Sequence, residues 1–165
     1  IAFGQDTKAV EAITKAVKSH AKQPVMMKLS PNVTDITEMA KAAQAGGADA
    51  LSLINTLTGM KIDIQRRTFA VANRTGGFSG PAIKPVAVRM VYQVAQAVQI
   101  PIVGMGGISC WEDAIEFLLA GATMVSVGTA NFYNPNVTME VVDGIEKYLL
   151  DHQISDVREL IGAVK

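Results

Sequence analysis

The sequence predicts an α/β fold of about four βα units, half of a (β/α)₈ barrel, with a hairpin excursion after the second strand. Three observations predict it. Short apolar segments alternate with helical ones along the whole chain, the order expected of a parallel sheet covered by helices. Gly47-Ala48-Asp49-Ala50-Leu51-Ser52-Leu53 and Gly121-Ala122-Thr123-Met124-Val125-Ser126-Val127 share one pattern, a helix-ending Gly-Ala and then an apolar strand, as a repeated unit would. Two successive strands also close on glycine, at Gly104-Met105-Gly106-Gly107 and at Val127-Gly128-Thr129. In barrels of this type the loops after the last two strands commonly bind a phosphate.

A complete barrel needs roughly 250 residues, about 30 for each βα unit. The 165 residues here therefore read as a single half-barrel domain over 1–165. The chain starts at Ile1, which fits a piece of a longer protein.

In order, residues 7–22 read as a helix, because Val10, Ile13 and Val17 recur at helical spacing; Pro24 stops it. Residues 25–30 read as a buried strand broken by Pro31-Asn32. Thr34 or Asp35 caps a second helix with Ile36, Met39, Ala40 and Ala43 on one face, and Gly46-Gly47 ends it. Residues 50–55 form the next strand. Lys61 to Gln65 alternates polar and apolar, as an exposed hairpin strand would, with 70–72 as its partner and 76–81 as a loop. A helix from near Pro85 to Val98 follows, then a strand over 101–106. Ser109-Cys110-Trp111-Glu112 reads as a capping box opening a helix to Ala120. A strand over 124–128 and helices near 137–150 and 155–164 complete the chain. Strands this short and apolar are expected to be covered on both faces.

Composition excludes several classes. Fifteen basic and fifteen acidic residues balance, so there is no basic footprint for nucleic acid. No apolar run is long enough for a membrane span, and no signal peptide is visible; a cytoplasmic protein is expected. Cys110 is the only cysteine, which rules out an internal disulfide and argues against a cysteine-based metal cluster; no metal site is expected.

Some residues invite chemistry. Lys28 stands alone in an apolar strand; a buried ammonium needs a partner, and a functional position is favoured over a rim lysine in solvent. Near a flavin its fixed charge would stabilise the anionic reduced ring. Asn55 and Thr56 either read a planar molecule with alternating carbonyl and N–H edges, such as a pyrimidine, or end the strand in an ordinary turn. Gly80 either approaches a ligand or only shapes a turn. Gly106-Gly107 with Gly128-Thr129 are the strongest pair, because glycine lets backbone N–H groups reach an anion. Cys110 sits in a first helical turn, where the dipole could lower its pKa, but no base stands beside it and it is assigned to structure. His20 and His152 are expected in solvent at helix ends, and Trp111 in packing.

These motifs together resemble a family. Lys28-Leu29-Ser30-Pro31-Asn32-Val33-Thr34-Asp35, Ile54-Asn55-Thr56, the run from Gly76 to Pro85, Gly104-Met105-Gly106-Gly107-Ile108 and Val127-Gly128-Thr129-Ala130 resemble class 1 dihydroorotate dehydrogenase, most nearly the catalytic subunit of the NAD-linked, two-subunit bacterial form. The resemblance covers essentially the whole chain and corresponds to the C-terminal half of the barrel. It implies FMN, with Lys28 by the flavin ring, Ile54 and Gly80 lining it, and Gly106, Gly107, Gly128 and Thr129 on the ribityl phosphate. Asn55 and Thr56 would bind the pyrimidine substrate.

The implied reaction oxidises dihydroorotate to orotate in pyrimidine biosynthesis. The implied base is a cysteine on a loop of the N-terminal half; Cys110 does not match that position, so no catalytic residue is assigned in this chain. A homodimer is implied, with a partner subunit carrying FAD and an iron–sulfur cluster that passes electrons to NAD⁺. Two other readings stay open: the FMN domain of dihydropyrimidine dehydrogenase, which resembles the family over the same region, and a non-catalytic half-barrel with no activity alone.

Overall fold

Parallel pairing organises the chain. The computed structural model describes residues 3–164. In order, the elements are α1 (Thr7–His20), β1 (Met26–Lys28), α2 (Ile36–Ala45), β2 (Ala50–Leu53), β3 (Leu57–Met60), β4 (Ile62–Asp63), β5 (Thr68–Phe69), β6 (Thr75–Phe78), α3 (Lys84–Ala95), β7 (Ile102–Met105), α4 (Trp111–Leu119), β8 (Met124–Ser126) and α5 (Val137–Asp151), with 3₁₀ turns at Phe3–Gln5, Pro81–Ile83, Thr129–Phe132 and Val157–Leu160. Strands β1, β2, β7 and β8 form an open four-stranded sheet in that order, and each neighbouring pair is parallel. The sheet is not closed into a barrel.

The core lies between this sheet and the helices. Leu51, Leu53 and Ile102 point toward the helices and are buried with Ala43, Val91, Val94 and Phe117. Lys28 pairs with Ser52, Val103 with Met124 and Met105 with Ser126, which places these residues on the opposite face. There Met26 is 47% exposed and Met124 53%. The expectation that every strand is covered on both faces therefore holds for β2 and β7 only. The outer strands have no further neighbour in the sheet to cover them.

The two-fold sequence repeat is a repeated piece of geometry. Gly47 and Gly121 both adopt positive φ, +92° and +112°, the left-handed turn that glycine makes without strain. The next residue's N–H then caps its helix, Ala48 to the carbonyl of Ala43 and Ala122 to that of Phe117. One residue on, Asp49 and Thr123 each donate N–H to the preceding strand, at the carbonyls of Val25 and Ile102. Their side chains accept from those same two residues: the Val25 N–H reaches Asp49 Oδ2 at 2.6 Å and the Ile102 N–H reaches Thr123 Oγ1 at 3.4 Å. Lys18 adds an ion pair to Asp49 at 2.7 Å. The hydrogen bonds from Lys18 and Val25 hold the Asp49 carboxyl below its ordinary range.

Four expectations need correction. The excursion is a two-part hairpin in which β3 pairs with β6 and β4 with β5; 76–78 is strand rather than loop, and the partner strand lies at 68–69 rather than 70–72, with Ala70 alone of the latter donating its N–H to the Lys61 carbonyl at 2.9 Å. Gly77 is the glycine this ladder needs, since a Cβ there would lie 2.6 Å from Thr56 Oγ1. The α4 cap falls one residue later than the Ser-x-x-Glu reading, at Cys110, because Asp113 rather than Glu112 accepts from the cap backbone. Residues 155–164 make one 3₁₀ turn instead of a helix: the N–H groups of Gly162 and Val164 donate to the carbonyls of Leu118 and Leu119, so the tail satisfies the open end of α4. Helix α1 ends at His20, two residues early, with Ala21 already extended ahead of Pro24.

Trp111 packs as expected, under α5. A Cβ on Gly144 would overlap Cβ, Cγ and Cδ1 of Trp111. Alanine gains about 1 kcal/mol over glycine inside a helix, but overpacking costs about 1–3 kcal/mol, and atoms this near the Trp111 main chain cannot swing aside. Gly144→Ala is expected to lower stability by about 1–2 kcal/mol net, read from the urea midpoint; an unchanged or raised midpoint would contradict the close α4–α5 contact.

Candidate functional site

Because the four strands are parallel, their carboxyl ends share one edge, and the loops leaving that edge meet there. Leu29 and Asn55 tie the first two together, the Asn55 N–H donating to the Leu29 carbonyl at 2.9 Å. Asn32, which the sequence marked only as a strand breaker, completes the link. Its side chain donates to the Thr56 carbonyl at 3.0 Å and accepts from the Thr58 N–H at 2.9 Å. Asn55 and Thr56 are exposed at the strand end.

The glycine loops converge next to them. Ile54 donates N–H to the Met105 carbonyl at 3.0 Å, and a Cβ on Gly106 would lie 3.3 Å from Ile54 Cγ1 and 2.6 Å from Ile83 Cδ1. Gly107 has φ +84°, and a Cβ there would sit 2.8 Å from the Gly80 carbonyl oxygen and 3.0 Å from the Lys84 nitrogen. Two loops thus touch backbone to backbone at Gly107. Gly80 also shapes its turn, its carbonyl accepting from the Ile83 N–H at 3.1 Å. The Gly128-Thr129 loop joins through a hydroxyl–hydroxyl hydrogen bond of 3.0 Å between Thr129 and Ser79. Among the described residues the backbone N–H groups of Gly106, Gly107, Gly128 and Thr129 donate to no protein acceptor. Nothing lies within 4 Å of a Cβ position on Gly80 or Gly128, so open space stands over both. A cluster of unpaired donors on a glycine-lined rim is the equipment for holding an anion.

The structure brings Ile54, Gly80, Gly106, Gly107, Gly128 and Thr129 together, with Asn55 and Thr56 beside them. Lys28 stands further off. It is exposed on the helix-free face of β1, two strands and on the order of 10 Å from β7. It forms no ion pair among the described residues, and it needs none, because the burial that demanded a partner is absent.

Behind the loops lies a charged cluster the sequence did not reveal. Asp113, 7% exposed, accepts from the Ser109 N–H at 2.8 Å, the Ser109 hydroxyl at 3.0 Å, the Cys110 N–H at 3.3 Å and Lys84 Nζ at 2.7 Å. Lys84 also meets Glu116 at 2.6 Å. Burial alone would push the Asp113 carboxyl up, yet these donors pull it down to about 2. The two carboxylates raise the Lys84 ammonium above its ordinary value. The spacing of Asp113 from Ser109 was visible in the sequence; its pairing with Lys84 was not.

Cys110 is half-buried, and burial pushes its thiol up, so the helix end does not activate it. His20 and His152 lie exposed at helix ends, as expected. No group of three His, Cys, Asp or Glu able to hold a metal occurs among the described residues, and no helix there is long and apolar enough to cross a membrane. A groove of about 540 Å³ between α3 and α4, lined by Pro85, Val88, Tyr92 and Leu119 among others, is on the outer face and shares no residue with the loops.

Residues 1–149 match the family described as dihydroorotate dehydrogenase. The chain belongs to the dihydroorotate dehydrogenase family. It is 70% identical over 165 residues to the catalytic subunit of dihydroorotate dehydrogenase B (NAD(+)) of Lachnoclostridium phytofermentans, covering 100% of this chain and 55% of that protein. Its identity to the same subunit of Alkaliphilus oremlandii is 66% over 160 residues, covering 97% and 53%. A crystal structure of DHODH from Eimeria tenella in complex with ferulenol superposes with a TM-score of 0.79 at 25% identity, over 96% of this chain and 49% of that one. The chain therefore spans about half the length of the dihydroorotate dehydrogenases it matches.

Two outcomes are expected of this cluster. The folded Asp113 carboxyl titrates near 2 against an ordinary 3.8, so its contribution to stability is complete above about pH 4 and is lost as pH falls toward 2. The stability gap between the protein and Asp113→Asn should shrink over that window and stay constant from pH 5 to 7 (a gap flat down to pH 2 would remove the ion pair from the account). Cys110 should react with iodoacetamide more slowly at pH 8 than a free thiol does, and Cys110→Ser should leave ligand binding unchanged.

Proposed function

We propose that this chain takes part in the flavin-dependent oxidation of dihydroorotate to orotate, as the C-terminal half of one FMN-binding barrel domain over 1–165. The observation that carries the reading is the convergence of three glycine loops with unpaired N–H groups on the carboxyl edge of a parallel sheet, in a chain of this family. The four strands would be half of an eight-stranded barrel, which accounts for the uncovered face of β1 and β8.

The residues fit FMN. The open, donor-rich rim of Gly106, Gly107, Gly128 and Thr129 suits the ribityl phosphate, and the backbone supplies hydrogen bonds that would otherwise be left unmade. Ile54 and Gly80, adjacent across Gly106 and Gly107, would line the ring. Lys28, free of ion pairs on the open face, would bring a positive charge toward it. FMN, when bound, supplies the acceptor for the hydride that leaves dihydroorotate.

On the substrate side, Asn55 and Thr56 would hold the pyrimidine, Asn55 offering a donor and an acceptor and Thr56 a hydroxyl. Asn32 fixes the Thr56 main chain, which orients that pair. The base that takes the substrate proton is not assigned to any residue of this chain. The relatives are named catalytic subunits, which supports a partner subunit; FAD and an iron–sulfur cluster there, electron transfer to NAD⁺, a homodimer and a cytoplasmic location complete the proposal.

Flavin fluorescence tests the phosphate grip. FMN should bind the chain at least tenfold more tightly than riboflavin, and Thr129→Ala should narrow that ratio. Equal affinity for the two flavins would sink the reading. Turnover of dihydrouracil in preference to dihydroorotate, measured with the complete enzyme, would move the chain to the dihydropyrimidine dehydrogenase alternative.

A further inference from the structure

We propose that the Lys84–Asp113 pair is a positioning device for the phosphate grip, holding the Gly106-Gly107 loop against the Gly80 loop in the shape that turns their N–H groups toward the anion. This rests on the reading of that rim as a phosphate site and adds two residues to it that touch no ligand.

The connectivity makes the case. Asp113 sits in the first turn of α4 and accepts three hydrogen bonds from Ser109 and Cys110, the residues that end the loop begun at Gly106. Its other carboxylate oxygen holds Lys84 at 2.7 Å, the first residue of α3 and the end of the segment begun at Gly80. One buried carboxylate thereby joins the far ends of two loops whose near ends touch at Gly107, where a Cβ would lie 2.8 Å from the Gly80 carbonyl oxygen. The acid also takes the Ser109 and Cys110 N–H groups for itself, which leaves those of Gly106, Gly107 and Ile108 as the free donors of the loop. Lys84 Nζ is occupied by Asp113 and Glu116, so the lysine acts through the loop and not on the anion.

Charge alone predicts the opposite result for one variant, which makes the idea decidable. A carboxylate near a phosphate repels it, so if electrostatics governed, Asp113→Asn would tighten FMN. As a brace, Asp113→Asn should weaken FMN by about tenfold or more, the size seen when outer partners that orient a ligand are removed, and change riboflavin by less than twofold. Lys84→Met should do the same, and the double variant should be no worse than the weaker single, because the two act as a unit. Ser109→Ala, which removes only one hydroxyl contact, keeps the test available if Asp113→Asn does not fold; it should weaken FMN several-fold and spare riboflavin. Titrations by flavin fluorescence are paired with amide hydrogen exchange at Gly106 and Gly107, which should quicken in each variant. Tighter FMN binding by Asp113→Asn, or equal loss of FMN and riboflavin in these variants, would overturn the brace. A failure of the unsubstituted chain to prefer FMN would instead overturn the phosphate reading itself.

Discussion

Everything at the candidate site depends on strands that all run the same way. A parallel pair cannot be joined by a tight turn, so each strand must hand over to a helix that returns the chain to its starting edge. The carboxyl ends of β1, β2, β7 and β8 therefore share an edge, whichever segments come after them in the chain. Gly80 and Gly107 are far apart along the chain, yet they meet because β2 and β7 are neighbours and the hairpin excursion is looped out between them. Hydrogen bonding in the sheet brings the loops together; the loops themselves only have to be thin enough to approach.

The opposite edge has a different task. There the repeated Gly-Ala turn returns α2 and α4 to the sheet, and a side chain one residue further on, Asp49 or Thr123, accepts the N–H at the entry of the preceding strand. A carboxylate and a hydroxyl solve one geometric problem, and the carboxylate draws in Lys18 as well. Polar contacts at this amino edge fix where strands begin, and hence their register. Those at the carboxyl edge leave donors unpaired. A division of stability to one edge and, on the proposed reading, binding to the other is the usual arrangement of βα folds.

What the sequence made legible was whatever depends on neighbours in the chain. The order of units, the Asp35 cap on α2, the glycine ends of two helices and the glycine loops of the site are all local signals, and the family motif is a string of such signals. What it hid depends on neighbours in space. Lys28 read as buried because its strand is apolar, but exposure is decided by whether another strand covers that face. The Gly76-Gly77 pair read as loop because glycine is rare in strands; it is ladder here, and at Gly77 Thr56 leaves no room for a side chain. The tail read as helix by composition, and became a cap because α4 has open carbonyls within reach. Asp113 carried no signal beyond its spacing from Ser109, since its partner Lys84 comes from another unit.

Placing a carboxylate behind the proposed anion site needs a physical account, because the nearer charge should discourage the ligand. Three features reconcile it. Asp113 is held below its ordinary titration range by donors that surround it, so its charge is engaged in hydrogen bonds to the loop instead of being left to the solvent. Lys84 sits against it at 2.7 Å, and at distances much beyond that spacing the pair looks like a dipole whose field falls off faster than that of either charge. Glu116, the second acid on Lys84, is on the outward side of α4 and 47% exposed at its side chain, where water screens it. The loop thus receives the rigidity a charged hydrogen-bond acceptor gives with little of the repulsion. A neutral acceptor in the same place would avoid the repulsion altogether, but it would hold Lys84 and two backbone N–H groups less firmly; the arrangement makes sense only if the shape of the glycine loop matters more to the anion than the residual field does.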